Sequence, residues 1–348
     1  MPPVPSLLPF LVGVLLGALA NVCAAKLAWK PKPIRLFSVR AILVMAGMGA
    51  LAAWPPPVFA WEGALSLFRY GLPFLLVAIS LIDMDEQTVP DALVVSGTLF
   101  ALAAKFFVNL LSTAEQYPNL WASELFSQTT FLIAQACWWG WCFALMDRHW
   151  RMQRGMRMAL AIFFQRLYRS ASTCWILAMG VVGSFGLYAV WKMGAGPNAP
   201  NWTLAWAGTV YALKSLAIAG GMIWAIRIVG LLGLRREAMG FGDVLIMAML
   251  GAFLGWERCL ILFFIAPFIA LLAAVPQMLL SRGNVIPFGP FLCLAAGVVL
   301  YTESYWSRLV DTLHLLAPYL LPLGVGLLLV MYVLLVLMRW AKQKMGLE

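Results

Sequence analysis

Two groups of residues in this chain have the types and spacing to do chemistry. The first is Gly240-Phe241-Gly242-Asp243, a carboxylate preceded by two glycines at the entrance to an apolar run, Val244 to Trp256. The second is Asp83-Met84-Asp85-Glu86, with Asp91 beyond it, at another apolar boundary. A charged residue at membrane depth is costly and by default marks a functional site. The glycines let backbone or substrate come close, where a side chain would block it. Two carboxylates that share one proton can hydrolyse a peptide bond. One draws a proton from water; the other polarises the scissile carbonyl and later protonates the leaving amine. Asp243 and one of Asp83, Asp85 or Asp91 could form such a pair. The plainer reading is that these acids only end helices at the lipid–water boundary. On that reading Asp83, Asp85 and Asp91 precede or begin a helix, where an acid satisfies free amides and complements the dipole.

The elements that must position these acids are membrane helices. Of 348 residues, 63% are hydrophobic and 11% charged, with a mean hydropathy of +0.90. That composition excludes an ordinary soluble domain and points to an all-α, polytopic integral membrane bundle. Apolar runs at 6–27, 41–59, 64–82, 89–111, 124–146, 171–192, 203–234, 244–256, 259–280, 288–302 and 312–338 predict about eleven transmembrane helices. The run at 244–256 is short, and that at 203–234 is long enough to be tilted or broken. The N-terminal run has no basic flank and reads as a retained first helix rather than a cleaved signal.

Basic residues set the orientation. Lys26 to Arg40, Arg148 to Arg169, Arg227 to Arg236, Arg282, and Arg339 to Lys344 fall in alternate loops and at the C-terminus. An N-terminus outside (periplasmic) and a C-terminus in the cytoplasm put all of them inside. Asp83 and Asp243 then share the cytoplasmic face although they are far apart in sequence. The formal net charge of +10 is carried mostly by these short loops, so no nucleic-acid partner is expected. The stretch 147–170 mixes arginines with Trp150, Met156 and Phe163. It reads either as an amphipathic surface helix on anionic lipid or as a solvated loop. Cys23, Cys137, Cys142, Cys174, Cys259 and Cys293 are scattered without a Cys-x-x-Cys pair, and His149 and His314 stand apart. No metal site is expected.

Several segments carry a family likeness. Glu237 to Leu245, with Gly251-Ala252-Phe253-Leu254-Gly255-Trp256, resembles the catalytic segment of the type IV prepilin peptidases. Leu81 to Asp91 resembles the segment bearing their first catalytic aspartate. Ile286-Pro287-Phe288-Gly289-Pro290-Phe291-Leu292 looks like their Pro-Phe-Gly-Pro signature, and Gly17 to Val22 is similar to their first helix. The matches come in the family's order. The resemblance implies an aspartic endopeptidase of the bacterial inner membrane, with Asp83 and Asp243 as the catalytic pair. Asp85, Asp91, Gly240 and Gly242 support it, and Pro287, Phe288, Gly289 and Pro290 shape a helix start near the site. It also implies prepilin-like substrates, whose basic leader stays in the cytoplasm while an apolar helix lies in the lipid. The acidic face of the site suits such a leader.

The chain also departs from that family. The loop from Lys26 to Arg40 is short and lacks the cysteine-rich module many members carry. Proteolysis needs no cofactor; S-adenosylmethionine enters only if the family's N-methylation is retained. The expected organisation is one membrane domain over 1–348. It contains an inserted helix pair within 112–202, around the basic loop 147–170, and an extra C-terminal helix within 303–348. Alternative classes are a non-catalytic scaffold of a pilus or secretion assembly and a proton-coupled transporter. A transporter would place its acids nearer the midplane. Presenilin-type proteases share Gly-x-Gly-Asp but pair it with Tyr-Asp and Pro-Ala-Leu segments, where this chain has Ile82-Asp83 and Pro287-Phe288.

Overall fold

The computed structural model describes residues 7–27, 38–53, 68–111, 126–146, 171–194, 200–234, 239–280 and 287–344. Its described residues form helices throughout: α1 Leu7–Leu27, α2 Val39–Ala53, α3 Phe68–Glu86, α4 Asp91–Leu111, α5 Gln128–Leu145, α6 Ala171–Gly194, α7 Pro200–Leu234, α8 Phe241–Leu254, α9 Trp256–Leu280, α10 Gly289–Tyr301 and α11 Glu303–Lys344. Five of these are long and apolar enough to cross a membrane by length and composition, and α2, α8 and α10 are shorter apolar helices. The architecture is that of a membrane helical bundle. The basic segment 147–170, the turns expected at 54–57 and 112–123, and Glu237 lie outside the described residues.

Exposure agrees with a lipid solvent. Along α11, Leu315, Leu321, Leu329 and Leu334 face outward, as do Phe268 and Leu272 of α9. In water so large an apolar surface would aggregate; in a bilayer it meets acyl chains.

The chain divides into two compact units, one of Met1–Ala101 with Ile218–Glu348, the other of Leu102–Ala217. The insertion expected at 112–202 falls within the second. There α5 and α6 pack against each other. The Trp138 indole donates to the Gly180 carbonyl at 2.9 Å, and the Gln135 amide to Ser184 at 3.2 Å. At its end Lys192 lies over the rings of Tyr188 and Trp191, an apolar stem with a charged tip that suits a membrane interface.

In the first unit α8 is the core. Every residue along it is buried except Gly242, which is partly so. At about 1.5 Å per residue it is only about 21 Å long. A helix enclosed by others need not match the hydrocarbon thickness. Small residues let neighbours close on it: a Cβ on Gly220 of α7 would stand 2.9 Å from Ala248. The helix begins three residues before the apolar run at 244, because Asp243 lies inside its first turn. It ends where Gly255 takes φ 94°, a conformation open to glycine.

Candidate active site

Asp83 lies in the last turn of α3, and Asp85 one position before its last residue. The helix-start reading therefore fails for both; only Asp91 begins a helix, α4. A carboxylate at a helix C-terminus opposes the dipole of its own helix. Asp83 finds compensation in another helix: the backbone N–H of Gly289, first residue of α10, donates to its carboxylate. An acid from α3 thus caps the N-terminus of α10, where no side chain of the cap residue Phe288 does so. Its main chain is fixed too. The Asp83 carbonyl accepts from Gln87 N–H at 2.8 Å, with Gln87 in the left-handed region at φ 54°. That is a left-handed helix cap, usually built on glycine.

Gly289 is required by this contact. A Cβ there would collide with the Asp83 Oδ2 and stand 3.2 Å from Ile246 of α8. Ile246 is three residues after Asp243 and shares its helix face. The face of α8 that carries Asp243 therefore meets Gly289 and Asp83 at one junction of α3, α8 and α10. The charges of Asp83 and Asp243 interact there. Both are buried, 5% and 8% exposed.

Asp243 is the third residue of α8 and reaches back to the N–H of Gly240, the cap residue. That is one half of a capping box. The two glycines before it differ in role. A Cβ on Gly242 would stand 2.8 Å from Val89 Cγ2, so the α3–α4 connection packs directly on this residue. A Cβ on Gly240 would meet Asp243 Oδ2 at an ordinary 3.6 Å and the Gly242 backbone nitrogen at 4.0 Å.

The other acids lie elsewhere. Asp85 pairs with Arg40 of α2 at 2.6 Å, and Arg40 also donates to the Leu81 carbonyl at 3.0 Å. Asp91 is exposed at the start of α4. Pro287 and Phe288 precede α10, and Pro290 is its second residue, where the missing N–H breaks no helical bond.

Sequence reasoning missed two neighbours, Cys293 and Arg227. Cys293, one turn beyond Gly289, lies within electrostatic reach of both carboxylates and hydrogen-bonds with Ser80. Its spacing of four from Gly289 was a usable signal. Arg227 donates from Nε to the Met239 carbonyl at 3.1 Å, and its guanidinium lies 5.4 Å from the centre of the Phe241 ring. Nothing in the pattern distinguished it from the other loop-flanking arginines. Beside the site, an apolar groove of about 570 Å³ runs between α3 and α10, lined by Leu76, Ser80, Met84, Phe291, Leu294 and Gly297.

No protein-family model and no solved structure matches the chain. Curated proteins do, and the following carry the name prepilin leader peptidase/N-methyltransferase. A Dickeya chrysanthemi protein is 32% identical over 132 residues, 32% of this chain and 45% of the relative. An Escherichia coli K12 protein is 31% identical over 113 residues, 29% of this chain and 50% of the relative. An Aeromonas salmonicida protein is 28% identical over 92 residues, 26% of this chain and 30% of the relative. The chain therefore spans between about a third and a half of the length of these relatives. Over those segments, the chain is similar to proteins named prepilin leader peptidase/N-methyltransferase.

Proposed function

We propose that this protein is an aspartic endopeptidase that removes the basic leader from type IV prepilin-like precursors at the cytoplasmic face of a bacterial inner membrane. The observation that carries it is that Asp83, against Gly289, and Asp243, on the α8 face that meets Gly289 through Ile246, lie near enough for their charges to interact, each accepting a backbone N–H at a helix start. Such fixation keeps two reacting groups in register, which is worth more to the rate than either group alone. In the proposed reaction the pair shares one proton. The ionised member takes a proton from water as the oxygen attacks the scissile carbonyl. The protonated member donates to the carbonyl oxygen. The tetrahedral intermediate then collapses as a proton passes to the leaving amine. Hydrolysis of this kind calls for no cofactor. Methyl transfer, which would call for S-adenosylmethionine, is not part of the proposal.

The topology belongs to the same reading. About eleven spans with a periplasmic N-terminus and a cytoplasmic C-terminus put both acids where a leader emerges from the lipid. The apolar groove on α3 and α10 would receive the first turns of the substrate's hydrophobic helix. Asp83, Asp243, Glu86 and Asp91 would attract the leader's Lys and Arg. The test is co-expression with a prepilin, comparing wild type with Asp83→Asn and Asp243→Asn. Cleavage by wild type and none by either variant, at equal membrane abundance, supports the proposal. A wild type that processes no pilin-like precursor would favour a scaffold instead.

A further inference from the structure

Arg227 belongs to α7, fourteen residues before the glycine turn's Phe241, and in sequence it reads as one more basic residue at a loop. In the structure it is part-buried and engages the turn twice. Its Nε–H meets the Met239 carbonyl, immediately before the cap residue Gly240, and its guanidinium lies over Phe241, immediately after it. Gly240 is thus held between two residues that one side chain grips. Gly240 in turn donates the N–H that the Asp243 carboxylate accepts. We infer that Arg227 is the positioning residue of Asp243: by bridging Met239 and Phe241 it sets the turn whose amide orients that carboxylate toward Asp83. This rests on the peptidase reading for its kinetic consequence, but not for the geometry of the turn.

The residue type matters. A guanidinium is planar, so it can stack by its face while donating from its edge. Lysine carries the same charge as a point at the end of its stem, and it cannot do both at once. Phe241 is itself buried, so the cation–ring contact is shielded from water on that side, where such a contact gains strength. A side chain present only for topology would need neither the ring nor the carbonyl.

The experiment has two readouts on the full chain. The first is hydrogen exchange by mass spectrometry in detergent, on peptides covering the α7–α8 connection. Arg227→Met keeps the aliphatic stem. Its amides from Gly240 to Asp243 should exchange about tenfold faster, with α10 unchanged, because local opening follows lost local contacts. Unchanged exchange across the turn would overturn the inference whether or not the protein is a peptidase. The second is prepilin cleavage in membranes, with wild type as the control for the peptidase reading itself. Arg227→Met should lose about 10- to 100-fold in kcat with KM within about threefold, the signature of a misplaced reacting group. Arg227→Lys should recover only part of this. Full recovery by lysine would show that charge alone suffices, and a loss confined to KM would make Arg227 a substrate contact; either result overturns the inference. If Arg227→Met fails to accumulate, Arg227→Lys reads the same point, and a wild-type kcat in it would be decisive against.

Discussion

The carboxylate of Asp83 accepts the backbone N–H of Gly289, so the last turn of α3 closes the first turn of α10. A buried acid and a helix start, distant in sequence, each satisfy a group the other leaves open. The same junction carries Ile246 and, one helix turn before it, Asp243. The proposed pair is therefore organised around one glycine.

Gly289→Ala tests that organisation. The added methyl would occupy the space of the Asp83 Oδ2, and α10 is too well packed to retreat freely. The carboxylate must turn away from Asp243. Cleavage should fall by about 100-fold, as expected for a displacement of about 1 Å at a reacting group. The check is kcat at matched membrane abundance.

The two motif glycines should separate. Gly242→Ala presses on Val89 at 2.8 Å and shifts the α3–α4 connection, whereas Gly240→Ala makes only an ordinary contact at 3.6 Å. Cleavage should drop about tenfold or more in the first and stay within about threefold in the second. Equal losses would mean that the substrate, not Val89, occupies the space beside both.

Much of this was legible in the sequence. The apolar runs anticipated the helices of the described residues, because hydropathy in lipid is a strong signal. The acids and glycines were also visible. Their partners were not. Which of Asp83, Asp85 and Asp91 approaches Asp243 depends on the rotation of α3 and on where α4 begins, and the sequence left both open. Asp85 turns to Arg40, Asp91 stays exposed, and Asp83 faces Gly289. Nor could spacing show that Asp83 caps a foreign helix, since α10 starts some two hundred residues later. The roles of Arg227 and Val89 come from tertiary approach alone.

Asp85 gives a contrasting outcome. Its ion pair with Arg40 is exposed, with side chains 46% and 26% accessible, and such pairs contribute about 0–1 kcal/mol. Asp85→Asn should leave kcat within about threefold of wild type. Arg40→Ala should destabilise more than Asp85→Asn, because it also leaves the Leu81 carbonyl without that donor. Thermal unfolding in detergent of the two single variants is the measurement.

The groove offers a test of substrate path. A Cβ on Gly297 would meet nothing within 4 Å, and the residue lines the groove. Gly297→Phe should fill it without disturbing the bundle. If the apolar part of the substrate lies there, KM should rise about tenfold with kcat little changed. An unchanged KM would place the substrate helix elsewhere.

The central claim is that Asp83 and Asp243 together hydrolyse a prepilin leader bond. Intact-mass spectrometry of a co-expressed prepilin tests it most directly, since the spectrum shows where the N-terminus lies. With wild type the leader should be gone, and with Asp83→Asn or Asp243→Asn the precursor should keep its full mass. Precursor that is shortened to the same mass, and to the same extent, by both variants would contradict the account.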